Sequence, residues 1–222
     1  MKAIAHIETC FGSKFGVPRQ AGIVATPGRI VFEPEYRIAE AFRGLEAFDY
    51  LWILWQFSEC RQAGWNPTVR PPRLGGNARV GVFATRSPFR PNPIGLSSVR
   101  LLRVESDATL GPVLHVSGAD LMDGTPIYDI KPYIPYTDSH PEARSGFAAA
   151  AADSLLQVHC DPKFLSLLPH QLQQPLLDIL AHDPRPRYQH DALRRYGMTF
   201  AGREVHFVVE GNSLTVLDIT KP

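Results

Sequence analysis

Val80-Gly81-Val82-Phe83-Ala84-Thr85, Arg86-Ser87-Pro88-Phe89-Arg90-Pro91-Asn92-Pro93-Ile94-Gly95 and Leu96-Ser97-Ser98-Val99-Arg100-Leu101-Leu102-Arg103-Val104 follow one another without a break. The first and last blocks are rich in β-branched and aliphatic residues and read as strands. Three prolines in six positions make the middle block a rigid loop that cannot be helical. The same rhythm extends outward. On the N-terminal side, residues 3–9 alternate weakly and read as a strand, Ile23-Val24-Ala25-Thr26 as a short strand closed by Pro27-Gly28, and Tyr50 to Phe57 as a buried aromatic strand. On the C-terminal side, Val113 to Val116 and Ile127 to Ile134 read as strands, punctuated by turns such as Asp123-Gly124. Only Glu35 to Phe48, with Tyr36, Ile38, Ala39, Phe42, Leu45 and Phe48, carries a helical spacing. Many short strands with no βαβ rhythm predict a mainly β chain, residues 1–145 forming an antiparallel β-barrel. Neither G-x-G-x-x-G nor G-x-x-x-x-G-K-[ST] occurs, which argues against the doubly wound nucleotide-binding folds.

Around residues 138–152 the pattern lapses into Ser, Gly and Ala and reads as a linker. Residues 154–222 are expected to form a small α+β C-terminal domain. Phe164 to Ala181 is mostly helical despite Pro169 and Pro175, and Asp183-Pro184-Arg185-Pro186-Arg187-Tyr188 makes a stiff turn. Glu204 to Val209 and Leu214 to Ile219 flank Glu210-Gly211-Asn212-Ser213 as a hairpin, with Thr199 and Phe200 beginning a third strand. A unit of about 70 residues is small for an independent core, so it is expected to dock on the first unit or on a partner chain.

The 222 residues carry 23 basic and 22 acidic side chains, a net charge of +1 that excludes a histone-like or acidic-tail protein. The distribution is uneven. Eighteen of the basic residues are Arg, and eight of these fall between positions 60 and 104, a span with no Asp or Glu. Cys10, Cys60 and Cys160 are widely spaced and form neither a disulfide framework nor a zinc motif, which suits a reducing compartment. The N-terminus lacks the apolar core of a signal peptide, and the greasiest run, Tyr50 to Trp55, is too short to span a bilayer. A soluble cytoplasmic protein without a membrane partner is expected.

A planar guanidinium matches phosphate and carboxylate oxygens and also stacks on bases. Prolines nearby reduce the entropy lost when such a side chain is fixed. Arg70, Arg73, Arg79, Arg86 and Arg90 are therefore candidates to line an anionic groove; alternatively they pair with the acidic stretch from Asp120 to Asp129. Asp129 and Lys131 lie two apart on one strand face, where they can hold a ligand or a proton, or form an ordinary surface ion pair. Arg19-Gln20 and Ser58-Glu59 offer polar groups beside apolar segments. The eight His show no metal-ligand spacing, so no metal is expected, and there is no G-x-S-x-G elbow. An enzyme of this composition would work by positioning and electrostatics.

Phe15-Gly16-Val17-Pro18-Arg19-Gln20, Arg70 to Arg79, Gly81 to Gly95, Asp123-Gly124-Thr125-Pro126 and Asp129-Ile130-Lys131-Pro132-Tyr133 together strongly resemble the TsaA/TrmO-like family. The similarity extends to Asp183 to Tyr188 and to Tyr196-Gly197-Met198, and so covers nearly the whole chain. The resemblance implies a β-barrel, homodimeric, S-adenosylmethionine-dependent methyltransferase. Its substrate would be N6 of N6-threonylcarbamoyladenosine at position 37, in the anticodon loop of threonine tRNA. By motif, it implies cofactor contacts from Pro18, Arg19, Gln20, Ser58, Glu59, Arg86, Leu96, Met122, Asp123, Gly124 and Thr125. Arg70, Arg73, Arg79 and Arg90 would bind tRNA, and Asp129 or Lys131 would assist proton or charge transfer. Phe57-Ser58-Glu59 departs from the Phe-His-Gln or Phe-His-Glu that the family often carries. A methyltransferase for another substrate and a non-catalytic RNA-binding dimer are the rival readings.

Overall fold

The computed structural model describes residues 1–58, 64–71, 74, 78–148, 155–185 and 194–221. Six antiparallel strands close a barrel: β1 (Ala5–Glu8), β2 (Pro27–Phe32), β3 (Tyr50–Gln56), β6 (Ile94–Asp107), β7 (Gly111–Ser117) and β8 (Thr125–Pro132). Their order around the barrel is β1-β2-β7-β6-β3-β8, and β8 returns to β1. The small pair β4 (Thr68–Val69) and β5 (Val80–Gly81) forms a ribbon outside it. Alternation explains the closure. In β3 the buried residues are Leu51, Ile53 and Trp55, and in β6 Gly95, Ser97, Val99 and Leu101 face inward at the same period. β6 pairs with β3 over Ile94–Arg100 and with β7 over Arg100–Asp107, an irregularity at Leu101/Arg103 bending the long strand between partners.

Three expectations are corrected. Glu35 to Phe48 is not an α-helix but three separate 3₁₀ turns, Pro34–Tyr36, Ala39–Phe42 and Leu45–Ala47. Gly44, at φ 88°, interrupts the last two, while Tyr36, Phe42 and Leu45 still pack against the barrel core. The helical spacing was that of a chain hugging a curved surface, which short turns also satisfy. Likewise Ile23–Thr26 is no strand, because pairing begins at Pro27, opposite Ser117. Val24 is buried in a different core altogether. Of Val80–Thr85, only Val80–Gly81 pairs, and Val82–Ala84 turns to bury Val82.

That second core belongs to a mixed sheet, β10 (Tyr196–Phe200), β11 (Arg203–Glu210), β12 (Ser213–Thr220) and β9 (Gln157–His159), with β9 parallel to β12. With it stand α1 (Pro135–Asp138) in the connection, then α2 (Pro162–Leu165) and α3 (His170–Ala181). Pro169 separates α2 from α3, and Asp161 caps α2 by accepting from the Lys163 amide at 2.9 Å. The architecture is thus a mainly β fold, a closed barrel with a smaller α+β unit.

The two units interlock. Phe11 and Val24, from the connection between β1 and β2, are buried with Leu176, Met198, Phe200 and Phe207. Phe15 stacks on Phe207 with planes 1° apart and centroids at 6.3 Å, and the Ala201 amide donates to the Cys10 carbonyl at 2.8 Å. Gly16, at φ 99°, holds a left-handed backbone that favours glycine, and a Cβ there would lie 3.0 Å from the Met198 sulfur. Burial pushes the Cys10 thiol up to about 12, which leaves it a packing residue.

Candidate functional site

A cavity of about 950 Å³ opens at one end of the barrel. Strands supply one wall: Trp52, Trp55 and Gln56 of β3 with Ile94, Gly95 and Leu96 of β6. Trp55 pairs with Gly95, and a Cβ at Gly95 would come within 2.2 Å of the Trp55 ring, so the indole lies directly across the glycine backbone. Its Nε1 donates to Ser97 Oγ at 2.9 Å, and Ser97 Oγ donates to Asp120 Oδ1 at 2.5 Å. A register shift between β3 and β8 at Leu54/Trp55 accompanies a second bond, from the Tyr128 hydroxyl to Gln56 Oε1 at 2.5 Å. Phe57 packs on Trp55 with centroids 4.3 Å apart. This wall is aromatic and fixed by strand register.

Loops supply the opposite wall: Lys14, Val17, Pro18, Arg19 and Gln20 from the first connection, and Thr85, Arg86, Pro88, Phe89 and Arg90 from the proline-rich loop. The two loops are tied together where Arg86 Nη1 donates to Gln20 Oε1. Arg19 reaches across to the second unit, donating to the carbonyls of Asp183 at 2.8 Å and Arg185 at 3.1 Å. Arg185 in turn forks onto Asp183 at 2.8 and 2.9 Å and lies 5.8 Å from the Tyr196 ring centroid. Arg90 Nη1 bonds the carbonyls of Thr85 and Ser87, at 3.0 and 3.1 Å, so part of its guanidinium holds its own loop in shape. Asp120, Leu121, Met122 and Thr125 complete the lining. Among the described lining residues Asp120 is the one carboxylate, facing Lys14, Arg19, Arg86 and Arg90. Burial pushes its carboxyl above the usual range; bonds from Ser97 and from the backbone of Asp120 and Ala21, and the Arg86 charge, act the other way and are outweighed.

Several residues singled out in the sequence meet here: Pro18, Arg19, Gln20, Ser58, Arg86, Arg90, Leu96, Met122 and Thr125 line one cavity from five stretches of chain. Asp123 and Gly124 do not line it. Asp123 instead accepts from the Thr9 amide at 2.9 Å, and the Gly124 amide donates to Ile7 O at 2.8 Å, which locks the turn that presents Met122 and Thr125. Asp129 and Lys131 form a 2.9 Å ion pair on β8, both partly exposed and outside the cavity. Arg70 and Arg79 sit beside the β4–β5 ribbon, exposed, with Arg79 donating to Thr68 Oγ1 at 3.0 Å. Glu59 and Arg73 lie outside the described residues.

Sequence reading missed Asp120 and the two tryptophans as cavity residues, and Ser97 as the hydrogen-bonded link between Trp55 and Asp120. It also missed an exposed pair beside the ribbon, Trp65 and Phe83, whose rings stack with centroids 6.2 Å apart. No group of three or more His, Cys, Asp or Glu among the described residues can hold a metal ion. No described helix is long and apolar enough to cross a membrane.

Two family models match the chain: the tRNA-methyltransferase O N-terminal domain over residues 6–139 and the TrmO C-terminal domain over residues 148–222. A tRNA (adenine(37)-N6)-methyltransferase of Escherichia coli is 43% identical, over 91% of this chain and 94% of that protein. A protein of the same description from Eikenella corrodens is 46% identical over 74% of this chain and 92% of its own length. A crystal structure of TrmO from Pseudomonas aeruginosa superposes with a TM-score of 0.79 at 34% identity, covering 99% of this chain and 95% of that one.

Proposed function

Because the chain belongs to the tRNA-methyltransferase O family, we propose that it methylates N6 of N6-threonylcarbamoyladenosine at position 37 of threonine tRNA. The chain is an S-adenosylmethionine-dependent tRNA methyltransferase, and the proposal names its nucleoside, position and isoacceptor. The observation that carries the proposal is the convergence of the separated motif residues on one cavity of about 950 Å³. Such a volume lies at the upper end of small-molecule sites, as a cavity for both a cofactor and an entering base requires.

The residues present fit S-adenosylmethionine. Trp52, Trp55, Phe57 and Phe89 offer ring faces for an adenine, and Arg19 and Arg86 offer guanidinium forks for a carboxylate. Pro18, Gln20, Ser58, Leu96, Met122 and Thr125 are the remaining proposed contacts within the cavity. Asp123 and Gly124 serve by shaping their turn, and Glu59 is proposed from its motif alone. When bound, the cofactor supplies an electrophilic methyl group on a sulfonium. The chain's own task is to exclude water and hold the acceptor nitrogen in line with that methyl group, which is where the rate gain of such a site arises.

For the RNA, Arg70, Arg73, Arg79 and Arg90 are proposed to meet anticodon-loop phosphates, and exposed Trp65 and Phe83 are suited to stack on unpaired bases nearby. A base must leave its stack to enter a protein cavity. We further propose the division into a barrel domain, residues 1–145, and a C-terminal domain, residues 154–222, together with a homodimeric, cytoplasmic protein. Mass analysis of nucleosides from threonylcarbamoylated threonine tRNA, incubated with protein and S-adenosylmethionine, tests the reaction. One methyl gained on threonylcarbamoyladenosine supports it; a methyl on any other nucleoside, or none, overturns it.

A further inference from the structure

Methylation of a nitrogen that still bears hydrogen releases a proton, and nothing described above receives it. Asp129, the carboxylate that the sequence singled out, is tied to Lys131 outside the cavity. Asp120 is inside it, the one carboxylate among the described lining residues. It is also the end of a hydrogen-bonded line: Trp55 Nε1 donates to Ser97 Oγ, which donates to Asp120 Oδ1. Trp55 and Ser97 are themselves buried, at 8% and 2% exposure, and Trp55 is clamped over Gly95, so the line is held by the barrel wall and not by a mobile loop. A carboxylate fixed this way has a defined position relative to whatever fills the cavity.

We infer that Asp120 is a catalytic residue whose carboxylate receives the N6 proton during methyl transfer, with Ser97 and Trp55 as the residues that position it. The inference rests on the reaction proposed above. In the step, the N6 lone pair forms the bond to the methyl carbon and the carbon–sulfur bond breaks with its electron pair to sulfur. The N6–H pair stays on nitrogen as the proton passes to Asp120. The positive charge on sulfur and the negative charge on Asp120 vanish together, so a cavity poor in water favours the step. Burial, which raises this carboxyl's affinity for protons, suits it to the role, since a base works best when its affinity approaches the operating pH. The Arg86 charge acts the other way and favours the ionised form, without outweighing burial.

The test compares wild type, Asp120→Asn and Ser97→Ala on modified tRNA in single turnovers across pH, with calorimetric binding of S-adenosylmethionine and S-adenosylhomocysteine. Asp120→Asn should lower the transfer rate by about 100-fold or more and remove the acid limb of the pH profile. Both ligands should bind within about threefold of wild type. Ser97→Ala removes a bond that favours the ionised form, so its acid limb should move to higher pH. In the free wild-type protein, carbon-13 spectra of the aspartates should show one carboxyl titrating above the ordinary range, absent from Asp120→Asn. The wild-type spectra need no folded variant: aspartates that all titrate in the ordinary range overturn the inference. An Asp120→Asn rate within about threefold of wild type overturns the inference. So does a selective loss of S-adenosylmethionine over S-adenosylhomocysteine binding at an unchanged saturated rate, which would make Asp120 a counter-ion to the sulfonium. Wild type that transfers no methyl to this tRNA overturns the proposed reaction itself, a distinct result.

Discussion

The two walls of the cavity are built in opposite ways. On the strand wall every residue stands where the ladder puts it: Trp55 opposite Gly95, Trp52 opposite Ser98, Gln56 opposite Ile94. On the loop wall position comes from side chains reaching across the molecule, Arg86 to Gln20, Arg19 to the carbonyls of residues 183 and 185, Phe15 to Phe207. The strand wall is largely aromatic and holds shape, whereas the loop wall is cationic and holds charge. A site that needs both a tight apolar slot and several guanidinium groups cannot draw them from one source. Charged side chains are costly inside a barrel, and loops alone do not fix rings precisely.

Each wall can be disrupted separately. The largest effect should come from Phe11→Ala, which empties the shared core beneath the loop wall, where Phe11 is 1% exposed. A loss of about 4 kcal/mol in urea unfolding is expected, with cofactor binding weakened in whatever remains folded. Gly95→Ala strikes the strand wall: the new methyl collides with the Trp55 ring, costing about 2 kcal/mol and changing tryptophan fluorescence. Arg19→Ala should spare stability, because the residue is exposed, yet free the loop that it ties to the second unit. About tenfold weaker S-adenosylmethionine binding, or roughly 1.4 kcal/mol, is the calorimetric expectation. Asp129→Asn closes the series. Its partly exposed ion pair should contribute less than about 0.5 kcal/mol, and the transfer rate should not change.

The strand wall was half legible in the sequence. Tyr50 to Phe57 reads as a strand because aromatic and branched aliphatic residues crowd a short run, and β3 does span Tyr50–Gln56. What no local pattern carries is that Trp55 lands on Gly95, forty residues on, and thereby orients Ser97 and Asp120. That requires the register, which is set by the closed barrel as a whole. The loop wall was legible for a different reason. Arg19, Gln20 and Arg86 sit in motifs whose residue types announce anion binding. Their dependence on the second unit was not announced, because Phe11, Phe15 and Val24 look like ordinary apolar residues of a β-barrel sequence. The false helix at Glu35 to Phe48 has the same origin, since packing onto a curved surface imitates helical spacing.

The interlocked core carries a consequence for how the molecule is made. The loop bearing Pro18, Arg19 and Gln20 is synthesised well before its packing partners Met198, Phe200 and Phe207, which follow it by about 180 residues. At ordinary synthesis speeds the interval is on the order of ten to forty seconds. During that wait the barrel can close on its own strands while the loop wall has nothing to rest on. A chain cut short before β10 and β11 would therefore keep the barrel strands but lack the packing that supports the loop wall.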